Sequence, residues 1–301
     1  MRVTFRPKST IIILLIFNLL IISAVVYLLL EINKTKVLNL EMVTTPIALP
    51  LLKEDIEKIG ISSRAYIIYD QESRTVFWGK NEKLRFSPAS STKIMTAIIA
   101  LEEYNLDREF TAIGLDNVEG STMKLHEGET ITVENLLYGL MLPSGNDAAY
   151  VLANSYPGGE AGFVARMNGK AKELNLINTK FIDSAGYSDD NYTTAYDLAR
   201  LASYALRNPR FAAIVSTKNR TVTDITGTIT HELSNLNELL GIKGVSGVKT
   251  GFTEEALGVL VSSVEHDGRT YIIVVLGSHD RFLDTKNIID RAVEKITLIF
   301  Y

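Results

Sequence analysis

Residues 11–30 read IIILLIFNLLIISAVVYLLL, an apolar block without a charge and with Asn18 as its one strongly polar side chain. About 20 residues at 1.5 Å rise cover a hydrocarbon core of about 30 Å, so the block predicts a transmembrane helix. A cleaved leader has a shorter apolar region ending in a small-x-small site, which is not found here. Arg2, Arg6 and Lys8 precede the block while Glu31, Lys34 and Lys36 follow it. That bias predicts a cytoplasmic N-terminus at 1–10 and an extracytoplasmic remainder.

Residues 31–60 mix polar and apolar positions around Pro46 and Pro50 and read as a juxtamembrane linker. After it, β-rich runs at 65–69 and 75–78 flank Asp70-Gln71-Glu72-Ser73 and predict a hairpin. Stretches 93–104, 133–141, 148–154, 162–174 and 195–206 have apolar residues at helical spacing and few breakers. The period returns to strands at 257–264 and 270–276, joined through Asp267-Gly268, a strong hairpin signal. A final amphipathic helix is expected over 283–298. Strands at both ends of a helical middle predict an α/β (α+β) fold, with a sheet lobe completed by sequence-distant segments and an inserted helical lobe. Residues 61–301 form one unit in this reading, and the cleft between the lobes is the expected site.

Composition narrows the chemistry. With 46% apolar and 22% charged residues the chain is globular, and a net charge of −4 leaves no basic footprint for nucleic acid. The absence of cysteine excludes disulfides, thiolate catalysis and Cys-ligated metals. His126, His231, His266 and His279 lie far apart without a metal-ligand spacing, and each reads as a surface or turn residue. No metal and no organic cofactor is implied.

A serine hydroxyl needs a base within hydrogen-bond reach to act as a nucleophile. Ser90 and Lys93, in Pro88-Ala89-Ser90-Ser91-Thr92-Lys93, are one helical turn apart on one face. Lys93 serves as base only when neutral, which burial or a second cation brings about, and Lys249 is a candidate for that cation. Ser-x-x-Lys alone is common in proteins and carries little weight. Its company adds the weight: Pro143-Ser144-Gly145-Asn146 follows an apolar run, and Lys249-Thr250-Gly251 precedes the last hairpin.

This ordered set resembles the active-site signature of penicillin-binding proteins and serine β-lactamases. It is most similar to the low-molecular-mass D-alanyl-D-alanine carboxypeptidases, in which PSGN replaces SDN. Residues 88–96, 134–149, 167–174, 178–179, 194–201 and 247–253 carry the likeness, which extends from about Arg64 to the C-terminus. The resemblance implies a serine peptidase that removes the terminal D-alanine from peptidoglycan stem peptides ending in D-Ala-D-Ala and is acylated by β-lactams. It implies Ser90 as acylated nucleophile, Lys93 as its base and Ser144 as proton relay to the departing amine. Asn146 would hold the substrate backbone, and Lys249 with Thr250 its terminal carboxylate. Gly251 would admit the substrate close to a strand, and the Ser90 and Phe252 N–H groups would form the oxyanion hole. Arg281 is a looser candidate for added charge at the carboxylate end.

The same resemblance leaves alternatives. An endopeptidase cutting cross-links between stem peptides would use the same residues. A class A β-lactamase would need a water-activating carboxylate between the second and third motifs. Asp183, Asp189 and Asp190 fall there, in a polar loop with Gly186 that reads as a solvated turn. A membrane-bound β-lactam sensor would need a cytoplasmic effector, for which the residues before the apolar block leave no room. Relatives that carry a C-terminal β-rich domain with a membrane-binding helix differ from this chain, where the N-terminal block is the expected anchor.

Overall fold

Residues 7–38, 48–52 and 60–300 are described in a computed structural model of the chain. The expected N-terminal segment therefore lies outside the described residues up to residue 6, and the expected linker over 39–47 and 53–59. Helix α1 (Pro7–Leu38) contains the apolar block and belongs to a different compact unit from Ala48–Ile299. Its side chains over 15–31, the continuous part that is described, are all exposed. Among the described residues no helix is long and apolar enough to cross a membrane.

The larger unit runs β1 (Ala48–Leu52), β2 (Ala65–Asp70), β3 (Thr75–Lys80), α2 (Lys93–Glu103), β4 (Glu109–Thr111), β5 (Thr130–Thr132) and α3 (Val133–Met141). It continues with α4 (Asn146–Asn154), α5 (Gly159–Glu173), α6 (Ala195–Ala205), α7 (Pro209–Val215), β6 (Asn219–Thr223) and β7 (Thr230–Ser234). It ends with β8 (Val245–Thr253), β9 (Leu257–His266), β10 (Arg269–Ser278), α8 (Arg281–Arg291) and β11 (Ile296–Phe300).

The main sheet has the order β3-β2-β10-β9-β8 and is antiparallel throughout. Ile67 pairs with Val274 and Tyr69 with Ile272, which joins the start of the unit to its end. Both sheet faces are covered. Ala65, Ile67, Tyr69, Ile272, Val274 and Leu276 belong to the core under the helical lobe, and Tyr66, Ile68, Tyr271, Ile273 and Val275 to the core under α8. Alternate residues of one strand thus enter different cores, so β2 and β10 read as continuous apolar runs rather than alternating ones.

Helix α2 is the central element of the helical lobe. Its first eight residues, Lys93 to Ala100, are buried. Its neighbours start at defined caps: the Thr132 hydroxyl accepts from Asn135 N–H at α3, and the Thr194 hydroxyl accepts from Asp197 N–H at α6.

The structure departs from the sequence pattern in three places. The last helix stops at Arg291, because Ile296-Thr297-Leu298-Ile299-Phe300 is a β-branched and aromatic run that pairs with β1. The short α7 and the two-stranded β4-β5 and β6-β7 pairs carry too few residues to show a period. His231 is not a surface residue: it is buried and lies 2.7 Å from Glu129 Oε1, joining β7 to the turn before β5.

The entry to the sheet is tied to α8 through one carboxylate. Buried Asp284 accepts from Ser62 N–H and Ser62 Oγ–H at 2.8 Å each, and from Ser278 Oγ–H at 2.6 Å. Asp284→Ala leaves those donors without their acceptor, so it is expected to cost about 2–4 kcal/mol and to lower Tm by roughly 5–15 °C. Thermal unfolding by circular dichroism checks this, and an unchanged Tm would disprove the tie.

Candidate active site

The segment Pro88-Ala89-Ser90-Ser91-Thr92 enters α2 through a single turn of 3₁₀ helix, Ala89–Thr92. Ala89 has φ +45°, a left-handed conformation unfavourable for a residue with a Cβ and sustained only by its surroundings. Two glycines supply them. A Cβ on Gly186 would lie 1.9 Å from the Ala89 carbonyl oxygen, and one on Gly251 would lie 3.1 Å from Ser90 N and 3.2 Å from Ala89 Cβ. Gly251 thus lets strand β8 itself rest against the nucleophile turn, a use that the motif did not reveal.

Lys93, the first residue of α2, has no exposed surface. Its Nζ lies 2.6 Å from Asn146 Oδ1, 2.6 Å from the Ala185 carbonyl oxygen and 3.2 Å from Ser90 Oγ. Burial lowers its pKa to about 7, against the opposing pull of Asp183 and Asp147. The positive end of the helix dipole acts in the same direction as burial. A neutral amine has two N–H bonds and one lone pair. With the N–H bonds given to the two carbonyl oxygens, the lone pair faces Ser90.

Asn146 has its amide orientation set by its partners. Its Nδ2 donates to the Glu119 carbonyl at 2.6 Å, an oxygen that only accepts, so Oδ1 must be the atom turned to Lys93. The preceding Ser144 occupies the tight link between α3 and α4 at φ +66°. Its hydroxyl is buried and makes no hydrogen bond among the described residues, which leaves it available to a substrate.

Lys249 is 2% exposed, donates to the Thr250 carbonyl at 3.0 Å and pairs with no carboxylate among the described residues. Burial, then Lys93 and then Arg281, push its pKa well below the ordinary lysine value. Of the two causes expected to neutralise Lys93, burial is the larger, and the two buried amines disfavour each other's charge. Arg281 stands at the start of α8 with its Nε buried and without a hydrogen-bond partner among the described residues. A carboxylate arriving at Lys249 would meet a buried amine without a carboxylate partner among the described residues, with the Arg281 guanidinium near enough to act on it. Thr250 is buried beside Lys249, whereas the Phe252 ring is 60% exposed.

Two carboxylates escaped the sequence reading. Asp183 is not a solvated turn residue: its carboxylate accepts from the N–H groups of Ala185, Gly186, Tyr187 and Ser188 and from Asn191 Nδ2. Both oxygens are occupied, so it does not stand free to activate a water. Buried Asp147 accepts from Met123 N–H at 2.9 Å and Leu125 N–H at 3.0 Å, and so ties the irregular 121–125 segment to α4. An Asp three residues ahead of a left-handed Gly was the one available signal for Asp183. No cluster of His, Cys, Asp and Glu suited to a metal ion occurs among the described residues.

Known proteins resemble the chain over most of its length. Residues 53–280 match the profile of a peptidase family described as D-alanyl-D-alanine carboxypeptidase. The D-alanyl-D-alanine carboxypeptidase DacF of Bacillus subtilis is 34% identical over 239 residues, which span 73% of this chain and 59% of that protein. A Streptomyces sp. D-alanyl-D-alanine carboxypeptidase is 38% identical over 68% of this chain and 77% of its own length. A Pseudomonas aeruginosa D-alanyl-D-alanine endopeptidase is 31% identical over 78% of this chain and 77% of its own length. In three dimensions, the crystal structure of the Streptomyces K15 DD-transpeptidase superposes with a TM-score of 0.74 at 36% identity, covering 78% of this chain and 98% of that one.

If Lys93 accepts the Ser90 proton, acylation needs its neutral form, so the rate rises with pH through about 7, the value to which burial brings Lys93. The acylation rate with a penicillin, followed between about pH 5.5 and 8.5, checks this; a rate flat across that span would remove Lys93 as the base.

Proposed function

We infer, because the chain belongs to the D-alanyl-D-alanine carboxypeptidase family, that it is a serine-type carboxypeptidase that removes the terminal D-alanine from peptidoglycan stem pentapeptides. The observation that carries the reading is the contact of one buried amine with Ser90 Oγ, Asn146 Oδ1 and the Ala185 carbonyl. That arrangement prepares a neutral base against a serine.

The substrate's terminal carboxylate meets Lys249, Thr250 and Arg281, which places the last peptide bond over Ser90. Ser90 Oγ attacks the carbonyl carbon as its proton passes to the Lys93 lone pair. The N–H groups of Ser90 and Phe252 receive the oxyanion that develops. The C–N bond then breaks, and the departing D-alanine amine takes a proton through the unpartnered Ser144 hydroxyl. Water hydrolyses the ester on Ser90, with Lys93 accepting its proton, and returns the enzyme. A β-lactam enters by the same attack and opens its ring onto Ser90.

A cross-link-cutting endopeptidase is the second reading, favoured by the Pseudomonas aeruginosa relative of that name. Both activities use one acyl-enzyme and differ in the amine that leaves. Ser90→Ala is expected to abolish covalent labelling by penicillin and release of D-alanine from a pentapeptide, and retained labelling would sink the assignment. Mass spectrometry of a pentapeptide and of cross-linked muropeptides separates the two readings: loss of one alanine supports the carboxypeptidase, cleavage of dimers the endopeptidase.

We further propose that the chain is a single-pass protein of the cell membrane with its catalytic unit on the extracytoplasmic side. Its support is the uncharged block at 11–30 with flanking charges biased to the N-terminal side. Exposed Leu15, Phe17, Leu19 and Tyr27 on α1 give that block a surface suited to lipid. A chain lacking 1–30 should appear in the soluble fraction while the full chain sediments with membranes and resists extraction by carbonate. Equal partition of the two would refute the anchor.

A further inference from the structure

The loop 183–191 touches the reacting groups at three points without supplying a side chain to the reaction. The Ala185 carbonyl lies 2.6 Å from Lys93 Nζ, and Gly186 lies too close to the Ala89 carbonyl for any Cβ. The Ser184 carbonyl accepts from Thr96 Oγ1 at 2.5 Å, on the next turn of α2. A loop with no regular ladder has to find other partners for its N–H groups. Here they converge on a single carboxylate. Asp183 Oδ1 accepts from Ala185 N–H at 2.7 Å, Gly186 N–H at 2.5 Å and Tyr187 N–H at 3.2 Å. Asp183 Oδ2 accepts from Ser188 N–H at 2.7 Å and Asn191 Nδ2 at 2.8 Å.

We propose that Asp183 is a positioning residue for acylation: by gathering these N–H groups it holds the Ala185 carbonyl on one N–H of Lys93 and thereby turns the amine's lone pair onto Ser90. The proposal rests on the reading of Ser90 and Lys93 as nucleophile and base. The reasoning is one of counting. A neutral amine directs its lone pair to one place only when both of its N–H bonds are held elsewhere. Asn146 holds one, and its own position is set by the Glu119 carbonyl. Ala185 holds the other, and its own N–H is held by Asp183, while Thr96 and Glu160 hold the neighbouring Ser184. Released from Asp183, the loop can move, the amine can rotate about its last carbon, and the lone pair is no longer confined to the serine. A misplacement of about 1 Å at a reacting group costs on the order of a hundredfold in rate.

Asp183 acts on Lys93 through charge as well. The charged groups facing the Lys93 amine are Asp183 from the loop, Asp147 from α4 and Lys249 from β8. Glu160 of α5 backs Asp183; its carboxyl accepts from Ser184 and is pushed up by burial first and by Asp183 as well. Removing the Asp183 charge takes away one of two groups that hold the Lys93 proton on. Lys93 then loses its proton at lower pH, and the acid limb of the acylation profile moves down.

Two substitutions separate placement from charge. Asp183→Asn keeps an Oδ1 acceptor for Ala185, Gly186 and Tyr187 but loses the charge and turns its amide N–H toward the Ser188 N–H and Asn191 Nδ2 donors, whereas Asp183→Ala loses every acceptor. In the full chain held in detergent micelles, stopped-flow mixing with a fluorescent penicillin resolves binding from the covalent step. The expected result for Asp183→Ala is a covalent step slowed by about a hundredfold with binding unchanged. Asp183→Asn should remain within about tenfold of the parent, with its acid limb displaced to lower pH. A purely structural role would lower Tm without slowing the covalent step of the folded Asp183→Ala chain. The proposal is overturned by an Asp183→Ala chain acylated at the parent rate, by a loss confined to binding, or by an Asp183→Asn limb that does not move. Should Asp183→Ala fail to fold, Asp183→Ser, whose shorter side chain cannot reach all of these N–H groups, is measured in its place against the same expected slowing. A parent chain that penicillin does not label overturns the proposal together with the function on which it rests. A labelled parent with an indifferent Asp183→Ala overturns the positioning role alone.

Discussion

An ammonium group placed in a protein interior must find a counter-ion or surrender its proton, since desolvation of the charge is too costly otherwise. Lys93 is fully buried with carbonyl oxygens rather than a carboxylate in contact, and much of the surrounding structure follows from that circumstance. Asp183 and Asp147 act from farther away and keep its pKa from falling beyond about 7. The balance suits a base that must accept a proton and give it back near neutrality. Three backbone segments meet to create it: the first turn of α2, the start of α4 through Asn146, and the loop carbonyl of Ala185.

The sheet brings the carboxylate-binding side to this amine. Strand β8 lies at the edge, and Gly251 lets it rest on the nucleophile turn at a separation that a side chain would crowd. Lys249 and Lys93 are consequently near enough for each to disfavour the other's charge, with Arg281 adding to the effect on Lys249. An incoming carboxylate relieves a deficit of negative charge that is already built into the site, so recognition of a peptide's free end and readiness of the nucleophile depend on the same burial. Burial of the two amines is tolerable because each retains hydrogen-bond partners.

Short connections, rather than helices and strands, set the final geometry. The turn at Ser144, the strained Ala89 and the Asp183 loop are irregular segments held by packed neighbours and by side-chain acceptors for their N–H groups. Such segments cannot be inferred from hydropathy, because their conformation is decided by what they lean on. The hairpin at the start of the unit and helices α2, α3 and α6 were legible in the sequence, since their period or turn chemistry is local. The end of α8 was not, because β11 depends on pairing with a strand from the other end of the chain.

Ser90, Lys93, Ser144, Asn146, Lys249, Thr250 and Gly251 could be read from the chain because order and spacing in three short motifs survive without coordinates. The sequence by itself thus determined the chemistry and the candidate groups. It pointed to the two-ended sheet as well, through strand patterns at both ends of a helical middle. Tertiary structure alone decided that burial outweighs the neighbouring charges at Lys93, that Asn146 faces it with oxygen, and that Arg281 acts on Lys249. It alone turned Asp183 from a surface acid into the anchor of a loop. The reason is physical: desolvation, lone-pair direction and the supply of hydrogen-bond partners are properties of a residue's surroundings, and those are assembled from segments far apart in the chain.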